Sequence, residues 1–325
     1  MKVSIINFSN RKNGNSQMIM KLLSELYVDE KVKAYNFSSM HISQCGKCSY
    51  ECMKENEKCP YKDKIYEIYK NIISSDICYY IVANYCDYPC SNFFIFNERG
   101  CGYFNNNEKK LTKYLNVKKK FIVITNSNTK NFLDIFKYHV NDEPDVLFIS
   151  PKKFGLSSIS DNVLSNPSAK YLISDFTQDI YRNEVSAMGI VMLEDKILAT
   201  KEDIYGNVAF SLPKGHVEKD ETYIETAIRE VEEETSFKLT KEDYVKSLEP
   251  YEVKFIDHNY HLVKKLIYPI IFKVNKMQDL VIKEKRVKEI SFYNVYEFIQ
   301  NCTYDNLKYI VLDALKIQKK EQVYE

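Results

Sequence analysis

Gly215-His216-Val217-Glu218-Lys219-Asp220-Glu221, seven further residues, then Arg229-Glu230-Val231-Glu232-Glu233-Glu234-Thr235-Ser236-Phe237 is the stretch that decides how this chain is read. Ile224, Ala227, Ile228 and Val231 recur at i, i+3, i+4 and i+7, so Glu221 to Thr235 is expected to be a helix whose one apolar stripe docks on a sheet. Glu230, Glu233 and Glu234 share an adjoining face at the same helical spacing. Uncompensated, the three carboxylates would repel one another. They are expected to converge on one or two hard cations, and Mg2+ prefers such oxygen ligands together with substrate phosphates. A solvated acidic face is the alternative for three glutamates taken alone. Just past the helix, Ser236 occupies a place where positive φ is expected, at some cost in backbone strain.

Outward from the helix, Val185 to Leu193, Lys196 to Thr200 and Val208 to Leu212 read as strands before it. Tyr251 to Ile256 and Leu262 to Val274 read as a hairpin after it, turned through Asp257-His258-Asn259, with helices near Val295 and from Asn306 to Gln318. The second half is therefore a mixed α/β domain. The spacing from Gly215 to Phe237 resembles the Nudix box, with Ser236 in place of its Gly. The resemblance implies a hydrolase of phosphoanhydride bonds that acts on a nucleotide-like diphosphate with Mg2+ or Mn2+. It implies Glu230, Glu233 and Glu234 as metal ligands, with the Gly215 carbonyl as a further one and Glu221 and Arg229 as a structural ion pair. Metals lower the pKa of bound water, and Glu233 or Glu234 is the expected proton acceptor, although a loop outside the box can supply the base in this family. Leu212-Pro213-Lys214-Gly215-His216 resembles the lead-in of the branch acting on dinucleoside polyphosphates, where Lys214 would meet an extra phosphate. Tyr251, Tyr260 and His261 fall where such enzymes stack a nucleobase, although strand tyrosines more often simply pack.

The first half alternates strand and helix: Val3 to Phe8, Asn15 to Leu26, Val32 to Phe37, Tyr61 to Ile73, Ile77 to Ala83, Phe121 to Asn126 and Asp145 to Ser150. Alternation of this kind predicts a parallel sheet covered by helices. Periodicity weakens from Ser165 to Glu184, which places a domain boundary near Tyr181. After the first strand, Ser9-Asn10-Arg11-Lys12-Asn13-Gly14-Asn15-Ser16 leads into a helix, and a helix N-terminus with Ser, Asn and Arg suits a phosphate dianion. A capped helix start without ligand is the plainer alternative.

This loop resembles that of flavodoxin-like NAD(P)H-dependent FMN reductases and their iron–sulfur flavoprotein relatives, with Phe8 and Asn10 in place of Gly and Pro. The resemblance implies Ser9, Arg11, Asn15 and Ser16 as FMN phosphate ligands, with Asn84 and Tyr85 beside the flavin ring. Phe96-Asn97-Glu98-Arg99 stands where the family has Phe-Ile-Asp-Arg. Cys45, Cys48, Cys52 and Cys59 resemble the family's cysteine loop, which implies a 4Fe–4S cluster, a Zn2+ site or free thiols. Eight of the nine cysteines lie between Cys45 and Cys101, and Cys78, Cys86, Cys90 and Cys101 are expected to be buried or incidental.

The combined expectation is an α/β chain with a flavodoxin-like doubly wound parallel sheet over 1–181 and a Nudix α/β/α sandwich with a mixed sheet over 182–325. Its expected function is bifunctional, Nudix hydrolysis beside an NAD(P)H-dependent FMN oxidoreductase. The alternative is a redox- or nucleotide-sensing module regulating the hydrolase; a Nudix module that only binds fits less well, since every metal ligand is retained. Lysine and arginine number 46 against 45 acidic residues, so a net charge of +1 supplies no field for nucleic acid or anionic lipid. No apolar run spans a bilayer, the opening residues lack the character of a secretory signal, and a cytoplasmic place is expected. Homo-oligomers through the flavodoxin-like half are expected from the fold analogy alone.

Overall fold

The computed structural model describes all residues except 47, 55–58, 128, 205–206, 284–286, 303 and 322–325. It contains two compact units, Met1–Ile180 and Tyr181–Glu325. Among the described residues no helix is long and apolar enough to cross a membrane.

The first unit runs β1 (Lys2–Asn7), α1 (Asn15–Leu26), β2 (Lys31–Asn36), α2 (Glu51–Lys54), α3 (Ile65–Ile73), β3 (Ile77–Tyr85), β4 (Tyr88–Pro89), α4 (Ser91–Phe104), α5 (Glu108–Asn116), β5 (Lys118–Ile124), α6 (Lys130–Phe136), β6 (Asp145–Ile149) and α7 (Pro167–Gln178). Its parallel strands lie in the order β2-β1-β3-β5-β6, with β4 added antiparallel to β3. Apart from that short addition, this is the doubly wound flavodoxin-like order, whose ligand crevice lies at the strand carboxyl ends where the order reverses. β1 is buried along five consecutive positions because helices cover both its faces. Phe8, at its carboxyl end, packs into an aromatic core with ring centroids 5.1 Å from Phe93 and 5.3 Å from Phe96. The place of a Gly in the related loops is therefore a core position in this chain.

The segment read as a weakly periodic boundary is largely helix. Asn166 caps α7 by accepting from the N–H groups of Ser168 and Ala169, Pro167 starts it, and Ala169, Leu172, Ile173 and Phe176 form its buried stripe. The helix expected from Tyr61 starts only at Ile65, where Asp63 accepts from the Ile65 N–H.

The second unit continues with β7 (Arg182–Leu193), β8 (Lys196–Ile204), β9 (Asn207–Ser211), β10 (Lys214–His216), α8 (Tyr223–Thr235), β11 (Tyr244–Ser247), β12 (Tyr251–Ile256), β13 (Leu262–Lys273), β14 (Val287–Asn294), α9 (Val295–Asn301) and α10 (Asp305–Glu321). β13 and β7 pair in parallel at the centre, and the other pairings are antiparallel. One face of this mixed sheet packs on α8 through Ala227 and Val231, the other on α9 and α10 through Phe298, Leu307 and Val311. Gly189 of β7 allows α8 to approach, since a Cβ there would strike the Val231 side chain.

Candidate functional site

In the second unit, β10 pairs Gly215 with Ala187, and the chain then loops through residues 217–222 into α8. Thr222 closes a capping box with Glu225, which sets the first turn of the helix. Ser236 ends it with φ of 63°, so the left-handed conformation read from the sequence is present without glycine. Gly215 lies directly against the Glu230 carboxylate, and a Cβ at this position would overlap it.

Arg229 organises the acidic cluster. Its Nε donates to Glu221 at 2.7 Å, Nη1 donates to Glu230 at 2.6 Å and Glu233 at 3.0 Å, and Nη2 donates to the His216 carbonyl at 2.9 Å. These bonds to Arg229 hold the Glu221 carboxyl at about 2, well below the ordinary carboxylate value. Glu234 is buried, and the Lys214 N–H approaches its Oε1 at 3.4 Å. The expected convergence of Glu230, Glu233 and Glu234 therefore takes another form. Among the described residues no three His, Cys, Asp or Glu side chains are grouped as metal ligands, and the guanidinium supplies the neutralising charge between Glu230 and Glu233. The donor set still fits a hard cation, because the carboxylates are oxygen ligands and Gly215 leaves room for one of them against the backbone.

Beside this cluster opens a cavity of about 500 Å³, lined by Lys214 and Tyr251 and also by Glu202, Lys254, Phe255 and Tyr304. Lys214 Nζ donates to Ser211 Oγ at 3.1 Å, and buried Glu202 accepts from Thr200 Oγ1 at 3.2 Å. Burial pushes the Tyr251 phenol upward, so it stays protonated. Tyr260 and His261 sit in the hairpin turn, the latter bonded to Asp257, and do not line the cavity. Sequence reading missed Glu202 and Tyr304: the strand was read only to Thr200, and Glu202 follows it in the polar run Lys201-Glu202-Asp203, which reads as surface.

Residues 183–312 match the family model described as the NUDIX domain. This stretch is a Nudix domain. Phosphatase NudJ of Escherichia coli strain K12 is 33% identical over 67 residues, which cover 21% of this chain and 44% of that protein. Phosphatase NudJ of Shigella flexneri gives the same figures. The chain thus spans less than half the length of the curated relatives it matches. Among solved structures, a C. elegans Ap4A hydrolase binary complex is 16% identical, covers 44% of this chain and 99% of its own, and superposes with a TM-score of 0.33. The MutT protein from Methanosarcina mazei Go1 is likewise 16% identical, over 43% of this chain and 96% of its own, with a TM-score of 0.33. In this domain the run from Gly215 to Phe237 spans the end of β10, the loop 217–222 and α8, with Ser236 and Phe237 just past the helix.

In the first unit, Ser9, Arg11, Asn15, Ser16, Asn84 and Tyr85 line one cavity of about 320 Å³. Arg11 is the one charged residue among its described lining residues, and no side chain caps α1 at Gly14. Both features suit an anion. Several of these groups also hold the fold: Asn15 Oδ1 accepts from the Val163 N–H at 2.8 Å, and Arg11 Nη2 donates to the Ile159 carbonyl at 2.7 Å. Asn84 Oδ1 is buried without a partner, an acceptor available to a ligand. Thr125, Asn126, Ser127 and Ser158 complete the wall and were missed, although strand ends on this edge were the place to look.

Phe96 to Arg99 do not line this cavity. Phe96 is core, and buried Arg99 bonds Asp63 at 2.6 and 3.1 Å, the Ser43 carbonyl at 2.8 Å and the Cys59 thiol at 3.4 Å. Cys45, Cys48 and Cys59 are half-buried and Cys52 is buried, all four as free thiols that the described residues do not gather as ligands. Lys47 and residues 55–58 of this cysteine loop lie outside the described residues. Burial raises the Cys45 and Cys52 thiols above their ordinary value. Of the other cysteines, Cys78 and Cys90 are buried, and Cys86 and Cys101 are exposed.

Proposed function

We propose that the Nudix domain hydrolyses a phosphoanhydride bond of a nucleotide-like diphosphate, with a dinucleoside polyphosphate as the favoured class. The observation that carries this reading is the cavity holding Lys214 and Tyr251 immediately beside the Gly215–Glu230 contact. Glu230, Glu233, Glu234 and the Gly215 carbonyl would hold Mg2+ or Mn2+, which when bound lowers the pKa of attacking water and withdraws charge from the diphosphate. Glu233, the most exposed of the three carboxylates, takes the proton as the water oxygen bonds to phosphorus and the bridging P–O bond breaks. Lys214 meets a phosphate oxygen, Tyr251 and Tyr304 flank a base, and Glu221 with Arg229 ties the loop to the helix. The first unit, on the support of its cavity and strand order, binds FMN and takes electrons from NAD(P)H. Ser9, Arg11, Asn15 and Ser16 face the phosphate, and Asn84 and Tyr85 face the ring.

The test incubates the purified chain with Mg2+ and dinucleoside polyphosphates, ADP-ribose, nucleoside triphosphates and NADH, beside a Glu233→Gln, Glu234→Gln double variant. Cleavage of one class with a loss of about 10²-fold or more in the variant supports the hydrolase. Cleavage of none by folded protein overturns it. A yellow protein supports flavin, and failure to take up added FMN overturns the reductase half.

A further inference from the structure

On the side of the first sheet covered by α3, α4 and α5 lies a second cavity, of about 340 Å³. Its residues differ entirely from those of the strand-end cavity. Tyr69, Phe104, Leu111 and Tyr114 make apolar walls, and no charged residue is among its described lining residues. Two polar atoms of the lining, His139 Nε2 and Asn97 Oδ1, are buried without a partner. Burying a polar group unpaired is costly, and a partner supplied by a ligand removes that cost.

The tautomer of His139 follows from its neighbours. Tyr80 and Tyr114 hydroxyls lie 2.9 Å apart, and the Tyr114 hydroxyl lies 2.6 Å from His139 Nδ1. If the protons run Tyr80 to Tyr114 to His139, each hydroxyl has an acceptor and Nε2 carries the ring hydrogen. The reverse direction leaves the buried Tyr80 hydroxyl without an acceptor among the described residues. Burial holds the ring neutral, with its pKa pushed down to about 3 and the Lys119 charge adding to the effect. The cavity therefore offers one donor, one acceptor and aromatic walls.

We propose that this cavity binds a small, neutral, planar aromatic or heteroaromatic molecule that presents an acceptor to His139 and a donor to Asn97, as a lactam does. The volume suits one or two rings. Cys101 also lines the cavity and is exposed, so its thiol reports occupancy.

The test uses the full chain with 2-pyridone as probe and toluene as the hydrocarbon control, read by melting temperature, calorimetry and mass-resolved alkylation of Cys101 against exposed Cys86. Expected are a raised melting temperature, slower alkylation of Cys101 with Cys86 unchanged, and about tenfold weaker binding in His139→Phe. Should His139→Phe not fold, Asn97→Leu gives the same comparison from the other polar atom, and Cys101 protection is read on the unmodified chain. Equal protection by toluene, or an unchanged melting temperature and unchanged Cys101 reactivity with 2-pyridone, overturns the proposal.

Discussion

Arg229 shows how one residue settles a cluster whose spacing alone leaves two readings. Helical spacing places three glutamates on one face, but the charge between Glu230 and Glu233 comes from the guanidinium, aimed there by its bond to the His216 carbonyl. That carbonyl belongs to the last residue of β10, and the meeting of a strand end with a helix carries no period in sequence. Glu221 has a folded pKa of about 2 against an ordinary 4.5, so its pairing stabilises the fold fully above pH 4.5 and is lost as pH falls toward 2. Glu221→Gln is therefore expected to lower stability above pH 4.5 and to converge on the wild type as pH falls toward 2, measured by urea unfolding across that range. Gly215→Ala would push the Glu230 carboxylate aside, and a displacement near 1 Å costs about 10²-fold in rate. The expected result is that loss in kcat/KM with an unchanged circular dichroism spectrum.

At the scale of elements, α8 was legible because its apolar stripe and acidic face repeat at one period. Its ends can be tested separately. Thr222→Ala removes the capping box and should cost about 1 kcal/mol in the unfolding transition of the Nudix domain. Ser236→Gly should raise stability by about 1 kcal/mol, because φ of 63° is strained for serine and free for glycine. β14 and α7 were not legible. A register shift between Val287 and Glu289 breaks the alternation of β14, and α7 carries its stripe among polar residues that read as linker. α4, with Phe93 and Phe96 buried, also gave no clear helical signal because its aromatic run reads equally as strand.

For the whole molecule, each unit has its own core, and residues 1–180 and 181–325 expressed apart should each unfold cooperatively, as calorimetry would show. A failure of either to fold would mean that one unit depends on the other. By itself the sequence determined what repeats locally: the Nudix spacing, the helix it builds, the strand and polar loop at the start, and the α/β class of both halves. Those are properties of a few neighbouring turns, where the helical and strand periods assign each side chain to a face. Only the tertiary structure decided the strand orders, the partner of Arg99, the union of Lys214, Tyr251 and Tyr304 in one cavity, and the presence of Asn97 and His139 in another. Such meetings join segments far apart in the chain. They depend on sheet order, register and the packing of helices across it, none of which leaves a period in the residues themselves.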